Sequence, residues 1–354
     1  MAEYISFQPN DFFSTKLYTG NGTAIGSGGN AITGVGFQPD FTWMKQRNST
    51  NNHNLQNSAV GATKYVNSDR NIAQVTNAES LTTWGADGFT LGNLADVNGS
   101  GNTFVSWNWK AGTTTGIDTT GSTITPSAYS FNATSGFSII AYTGNATSGA
   151  TLPHGLGVAP KMIMVKALDA TENWRVYHAD VDASPQDKYM ILDTTAAVAD
   201  ATWAWNDTAP TSTLFSLGSG GSVNGSGNTF IAYCFADVKG FSKFGSYTGN
   251  GNTDGPFVYT GFRPAFILMK RTDSTGNWTI WDSKREGYNS TNDEIYANTT
   301  AAEGTGNVYV DLVSNGFKWL VTDGMVNADG GNYIYAAFAE FPIVSSNDVP
   351  TVAR

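Results

Sequence analysis

The residues of this 354-residue chain that could carry chemistry are few: three histidines, 29 carboxylates, one cysteine and ten tryptophans. His53, His154 and His178 show no H-E-x-x-H spacing, and no G-x-S-x-G elbow, Walker-type phosphate loop or C-x-x-C pair accompanies them. His178 follows Lys166 by twelve residues, and the same step leads from Lys45 to Asn57 and from Lys270 to Asp282. One slot that holds Asn, His and Asp in otherwise similar stretches points to a polar structural position. A glycosidase would need two carboxylates about 5 to 10 Å apart on a concave surface. Asp273, Asp282, Glu286, Asp293 and Glu294 are available, but no E-x-D-x-E alternation sets an acidic pair on one strand. They read as solvated loop acids, so no catalytic residue is assigned and the chain is expected not to be an enzyme.

Aromatic residues are more suggestive. "ENWRVYH" and "GNWTIWD" place Trp174 and Trp278 four residues before His178 and Asp282, each after a loop rich in Gly, Asn and Asp. A flat indole beside hydrogen-bonding side chains suits a sugar ring, and Arg271, Asp273 and Asn277 would complete such a carbohydrate site around Trp278. The competing reading is core, because Trp174, Val176 and His178 alternate with Arg175 and Tyr177 as in a strand. The octapeptide "VNGSGNTF", at Val97–Phe104 and Val223–Phe230 with a looser form from Val326, could supply oxygens to Ca2+. Its carboxylates are too few, and no metal or other cofactor is expected. Cys234 lies in the apolar run "NTFIAYCFADV", where a buried, inert thiol is expected and no intrachain disulfide can form.

The elements that must position these residues repeat. "YTG" stands at Tyr18, Tyr142 and Tyr247; Pro39, Pro160 and Pro264 each precede Lys45, Lys166 and Lys270 by six residues; and "NTFVSWNW", "NTFIAYCF" and "NYIYAAF" close each copy. Three tandem copies of one unit follow, each of a length that suits an independent β-sandwich. Val105, Trp107 and Trp109 share a core face in the closing strand, as do Ile231, Tyr233 and Phe235, then Ile334, Ala336 and Phe338. The octapeptide is the turn into that strand. With 14% charged residues, 13% aromatics and 40 glycines the class is all-β. The expected division is module 1 at 1–112, a loose Thr/Gly/Ser-rich linker at 113–136, module 2 at 137–239, module 3 at 240–343 and an arm at 344–354. Modules 2 and 3 have almost no spacer and should form a rigid pair.

A formal charge of -10 disfavours nucleic acid and anionic membranes. No basic-then-apolar leader opens the chain and no stretch of eighteen apolar residues occurs, so neither classical secretion nor membrane insertion is expected. "MAEYISFQPNDFF" and "VSSNDVPTVAR" have the composition of arms that order on a partner.

The ordered series "ISFQPNDFFSTKLYTGNG", "AITGVGFQPDFTWMKQR", "GADGFTLG", "NTFVSWNWKAG", "GFSIIAYTGNA", "HGLGVAPKMIMVK", "FSKFGSYTGNGNTDGPFVYTGFRPAFILMKRTDSTGNWTIWDSKR" and "YIYAAFAEFP" resembles a repeat family of unassigned function in tail-fibre-like and other virion proteins of marine bacteriophages, cyanophages among them. The resemblance runs from Ile5 to Pro342. It implies a phage structural protein whose modules are jelly rolls of concanavalin type, assembled in the host cytoplasm, with other virion proteins as partners and homo-oligomerisation expected. The first module begins by Tyr18, so the expectation is either that another protein provides a tail anchor or that this is a compact surface subunit on the head or tail. The function expected first is a surface-displayed adhesin contacting a host glycan; then a capsid-decoration or tail-scaffold subunit; last, a polysaccharide depolymerase.

Overall fold

Each "YTG" copy folds around the same three strands in the same register. A computed structural model describes residues 7–285, 289 and 292–340; Glu286 and the 344–354 arm lie outside the described residues. In copy one the first strand (Phe13–Thr19) pairs with the final strand (Thr103–Trp109), which pairs with the lysine strand (Phe41–Gln46), which pairs with a fourth strand (Asn54–Asn57), all antiparallel. Copy two repeats this order with Phe137–Thr143, Thr229–Phe235, Met162–Ala167 and Arg175–His178. Copy three repeats it with Ser242–Thr248, Asn332–Phe338, Phe266–Arg271 and Trp278–Asp282, and extends it by Asn292–Tyr296 and Gly304–Asn307. The tyrosine of "YTG" faces Phe104, Phe230 or Tyr333 across the ladder, and each ring pair is stacked at 4.9 or 5.2 Å.

The recurring turn has a packing explanation. Its Val and Asn end a one-turn helix (Ala95–Asn98, Gly221–Asn224, Gly324–Asn327) and are buried in every copy. Tyr18, Tyr142 and Tyr247 donate their hydroxyls to the carbonyls of Val97, Val223 and Val326. Asn98, Asn224 and Asn327 each accept from the backbone N–H of the residue after the "YTG" glycine, at 2.8 or 2.9 Å. Their amides then donate to the carbonyls of Gly92, Gly218 and Val321, so the amide that sequence offered to Ca2+ is spent on closing the loop. The "YTG" glycine is fixed by close approach: a Cβ on Gly20, Gly144 or Gly249 would come within 2.2 to 2.4 Å of a backbone oxygen of that turn.

A smaller antiparallel sheet covers the outer face of each larger one. It comprises Asn30–Thr33, Gly88–Leu91 and Leu81–Gly85 in copy one; Ala150–Pro153 and Leu214–Leu217 in copy two; and Phe257–Tyr259, Gly316–Trp319 and Val310–Val313 in copy three. Separate apolar clusters fill these three interlayers. The fold is therefore all-β, and the final strands are buried on both faces.

The inner faces do not lie in separate bodies. Val105, Trp107 and Trp109, with Ile231, Tyr233 and Phe235, and with Ile334, Ala336 and Phe338, belong to one apolar cluster that also holds Phe41, Met162 and Phe266. Trp109, Phe235 and Phe338, equivalent residues of the three copies, form a triangle with ring centroids 6.4, 5.6 and 5.8 Å apart. The three larger sheets thus converge on a pseudo-threefold axis, at which an apolar void of about 20 Å3 remains.

Two expectations about the connections are revised. The 113–136 segment is packed: Ala128–Asn132 adds to the edge of the second sheet, Thr113 bridges to Phe131, and Ile124 is buried. Its Thr and Ser side chains satisfy a folded backbone, as where Gly112 N–H donates to Ser130. The N-terminal stretch is also partly docked, with Phe7 against Phe12 and Phe241 at 4.9 and 5.4 Å. Among the described residues no helix is long and apolar enough to cross a membrane.

Candidate functional site: the seams between copies

Trp174, Trp278, His53, His178 and Asp282, five of the residues that the sequence offered for chemistry, stand at seams between two copies. Trp174 and Trp278 are 0% and 1% exposed, so neither is a sugar platform; both are core. Strand alternation could not tell an inward indole from an outward one, because both faces of these sheets are covered. Trp174 donates its indole N–H to the Asn67 carbonyl of copy one at 2.8 Å, and Trp278 donates to the Ile191 carbonyl of copy two at 2.9 Å. The equivalent residue of copy one is His53. Its Nδ1 accepts from Trp43, and its Nε2 meets the Tyr296 carbonyl of copy three at 3.0 Å. These contacts run once around the axis, from copy two to one, three to two and one to three.

The repeated lysines follow the same circuit. Lys45, Lys166 and Lys270 are fully buried, and their ammonium groups donate to the carbonyls of Thr300, Asn71 and Thr195 in the neighbouring copy at 3.3, 3.2 and 3.3 Å. Each also donates to a carbonyl of its own copy. Burial lowers all three from the usual 10.5 to about 8. Backbone bonds reinforce the circuit: Gln74 N–H to Leu168, Val198 N–H to Thr272 and Glu303 N–H to Arg47, at 2.8 or 2.9 Å.

The Asn/His/Asp slot closes the ring in the opposite sense. Asn57 donates its amide to the Tyr233 hydroxyl of copy two at 2.9 Å, and Asp282 accepts from the indole of Trp107 in copy one at 2.9 Å. Copy three has Ala336 where the others have Trp107 and Tyr233, so His178 reaches the neighbouring backbone instead, the Tyr335 carbonyl at 3.1 Å. Slot chemistry thus tracks the partner it meets. In all three histidines Nδ1 accepts a hydrogen bond and Nε2 donates to a carbonyl. Burial holds them neutral, pushing His154 and His178 down to about 4 and His53 well below its usual range. None has a nitrogen left for a metal or a substrate proton. Burial raises the Cys234 thiol to about 12, which keeps it protonated.

The seam between copies three and one is the one that the chain itself does not tether, and it carries an ionic network. Glu303 binds Arg47 through both carboxylate oxygens and Arg285 at 3.0 Å, while Arg285 also pairs with Asp282 at 2.6 Å and lies over the Trp107 ring. Burial alone would raise the Glu303 carboxyl, but the two guanidinium groups hold it below its usual value. Asp282, Asp293 and Glu294 are not the solvated loop acids expected: all three are buried, and Asp293 lies 3.7 Å from Arg47.

The remaining residues of the expected sugar site do not converge on an aromatic face. Arg271 pairs with Asp273 at 2.8 Å, and Asn277 accepts from Asn298. With Thr195, Gly276 and Met325, Arg271 and Asn277 line a shallow groove at the seam of copies two and three, with no aromatic ring among its walls. The large aromatics that are exposed stand elsewhere, Phe257 at 48% and Tyr259 at 65%, on the outer sheet of copy three. Their signal was in the sequence: "FVY" aligns with "AIT" and "TLP" by its buried centre, Val258 with Ile32 and Leu152, which turns the two aromatics outward.

Neither the curated proteins nor the solved structures contain a match to this chain. Residues 8–342 match the family described as a domain of unknown function, DUF7483, a span that takes in all three copies and every seam, and the chain belongs to that family.

Proposed function

We propose that this chain is a structural component of a bacteriophage particle, a rigid three-lobed subunit displayed on the virion surface and partnered by other virion proteins. The observation that carries this reading is the inward use of reactive side chains: the repeated lysines, His53, His178, Asp282 and both seam tryptophans bind neighbouring copies. The likeness of the ordered motifs to phage virion repeats supplies the particle. Each copy, a larger sheet under a smaller one, is read as a sandwich of jelly-roll type. A single chain with three equivalent lobes does the work of a trimer, which suits a position on a particle axis. Adhesion to the host surface is preferred to pure decoration because copy three exposes an aromatic pair that its fold does not need. Quantitative mass spectrometry of gradient-purified particles tests the reading. A fixed copy number per particle is expected; absence of the chain from intact particles would overturn it.

A further inference from the structure

The outer sheets are where the three copies differ. Phe257 and Tyr259 point away from the core on the edge strand Phe257–Tyr259, and the matching outward positions hold Ala31 and Thr33 in copy one and Thr151 and Pro153 in copy two. The large exposed rings are therefore not a requirement of the repeat. Phe257 lies across Gly316, where an added Cβ would come within 3.0 Å of two of its ring carbons, and Tyr259 lies beside Gly261, at 3.5 and 3.7 Å from such an atom. Lys318 sits directly opposite Phe257 on the same sheet face, with Asp311 beyond it, and Asp254 pairs with Lys318 from the adjoining loop.

We propose that Phe257 and Tyr259, with Lys318, Asp254 and Asp311, form a saccharide-binding platform for a neutral glycan, and this rests on the reading of the chain as a surface-displayed virion protein. Two exposed rings on one sheet face offer the C–H face of a pyranose an apolar surface to stack on, while the ammonium and carboxylates beside them match its hydroxyls. The charges at the rim include both signs and the chain carries -10, which disfavours a polyanionic glycan. A platform of two rings is too small for a stable protein interface, which needs about 1,000 Å2 in total.

The test applies the full chain to immobilised neutral oligosaccharides, oligomers of glucose, galactose and N-acetylglucosamine, and compares it with the Phe257→Ala/Tyr259→Ala variant. Retention on at least one of them is expected for the wild type, with a loss of about tenfold or more in the variant. Unchanged melting and unchanged incorporation into particles should accompany that loss, so failure here leaves the virion reading standing. Equal retention of both proteins, or no retention of the wild type on any of the three oligomers, overturns the platform. Self-association of the wild type by sedimentation, abolished in the variant, would also overturn it and assign the aromatic pair to contact between copies of the chain.

Discussion

The seams and the outer sheets of the same three copies obey opposite rules. At the seams one set of contacts recurs in every copy: three lysines donate to three equivalent carbonyls, and the indole or imidazole eight residues later does the same. On the outer sheets the outward residues differ in each copy, from Ala31 and Thr33 to Thr151 and Pro153 to Phe257 and Tyr259. Repetition inside one chain marks what closure requires, and divergence marks what closure leaves free. Seam polar groups are far from water, so each must find a partner or cost about 1 to 3 kcal/mol. Ala31, Thr33, Phe257 and Tyr259 are solvated and carry no such obligation.

The largest expected effect comes from breaking a seam indole. Trp278→Ala removes a buried side chain and leaves the Ile191 carbonyl without its donor, and should destabilise by about 3 to 5 kcal/mol in urea denaturation. Loss on that scale is a large part of the total stability of a domain and would show as insoluble protein or a steep fall in melting temperature. Next comes the untethered seam. Glu303→Ala takes from Arg47 its bidentate partner and leaves the fully buried Arg285 with Asp282 alone, and a cost of about 3 kcal/mol is expected from the weakened charge balance. Asp254→Ala, which breaks an exposed pair with Lys318, should leave the melting temperature where it was. Equal effects at these two sites would remove the distinction between seam and surface.

The lysine ring gives a smaller, pH-dependent signature. Lys45, Lys166 and Lys270 release their protons near pH 8 when folded and near 10.5 when unfolded. Between these values the unfolded chain holds more protons, so stability rises as pH climbs from about 8. Burial raises Tyr142 and Tyr247 above their usual 10, which reverses the trend beyond about pH 10. Lys166→Met should remove about one-third of the rise in a pH series of denaturation midpoints. Smallest of all in stability is a graft of the aromatic pair onto copy one: Ala31→Phe/Thr33→Tyr, at exposed positions above Gly88, should change stability by no more than about 0.5 kcal/mol. The graft should strengthen retention on a multivalent saccharide surface through avidity.

Much of this was legible in sequence, for physical reasons that differ by residue. The threefold repeat and the all-β class follow from spacing and composition, and Asn57, His178 and Asp282 could be recognised as one structural slot because three polar types share one step from a lysine. Trp174 and Trp278 were ambiguous because period-two alternation names a face but not what covers it, and here a neighbouring copy covers it. Arg47 and Glu303 were illegible: their contact spans 256 residues and exists only once the ring is closed. The 113–136 segment misled because Thr, Ser and Gly signal loops by composition, while its backbone finds strand partners in copy two.

Closure of the three copies around one axis is the claim on which the rest depends, and small-angle X-ray scattering of the purified full chain addresses it most directly. A closed ring of this length should give a radius of gyration of about 20 Å and a single symmetric distance distribution. A markedly larger radius with a long-tailed distribution, as three sandwiches strung in line would produce, would contradict it.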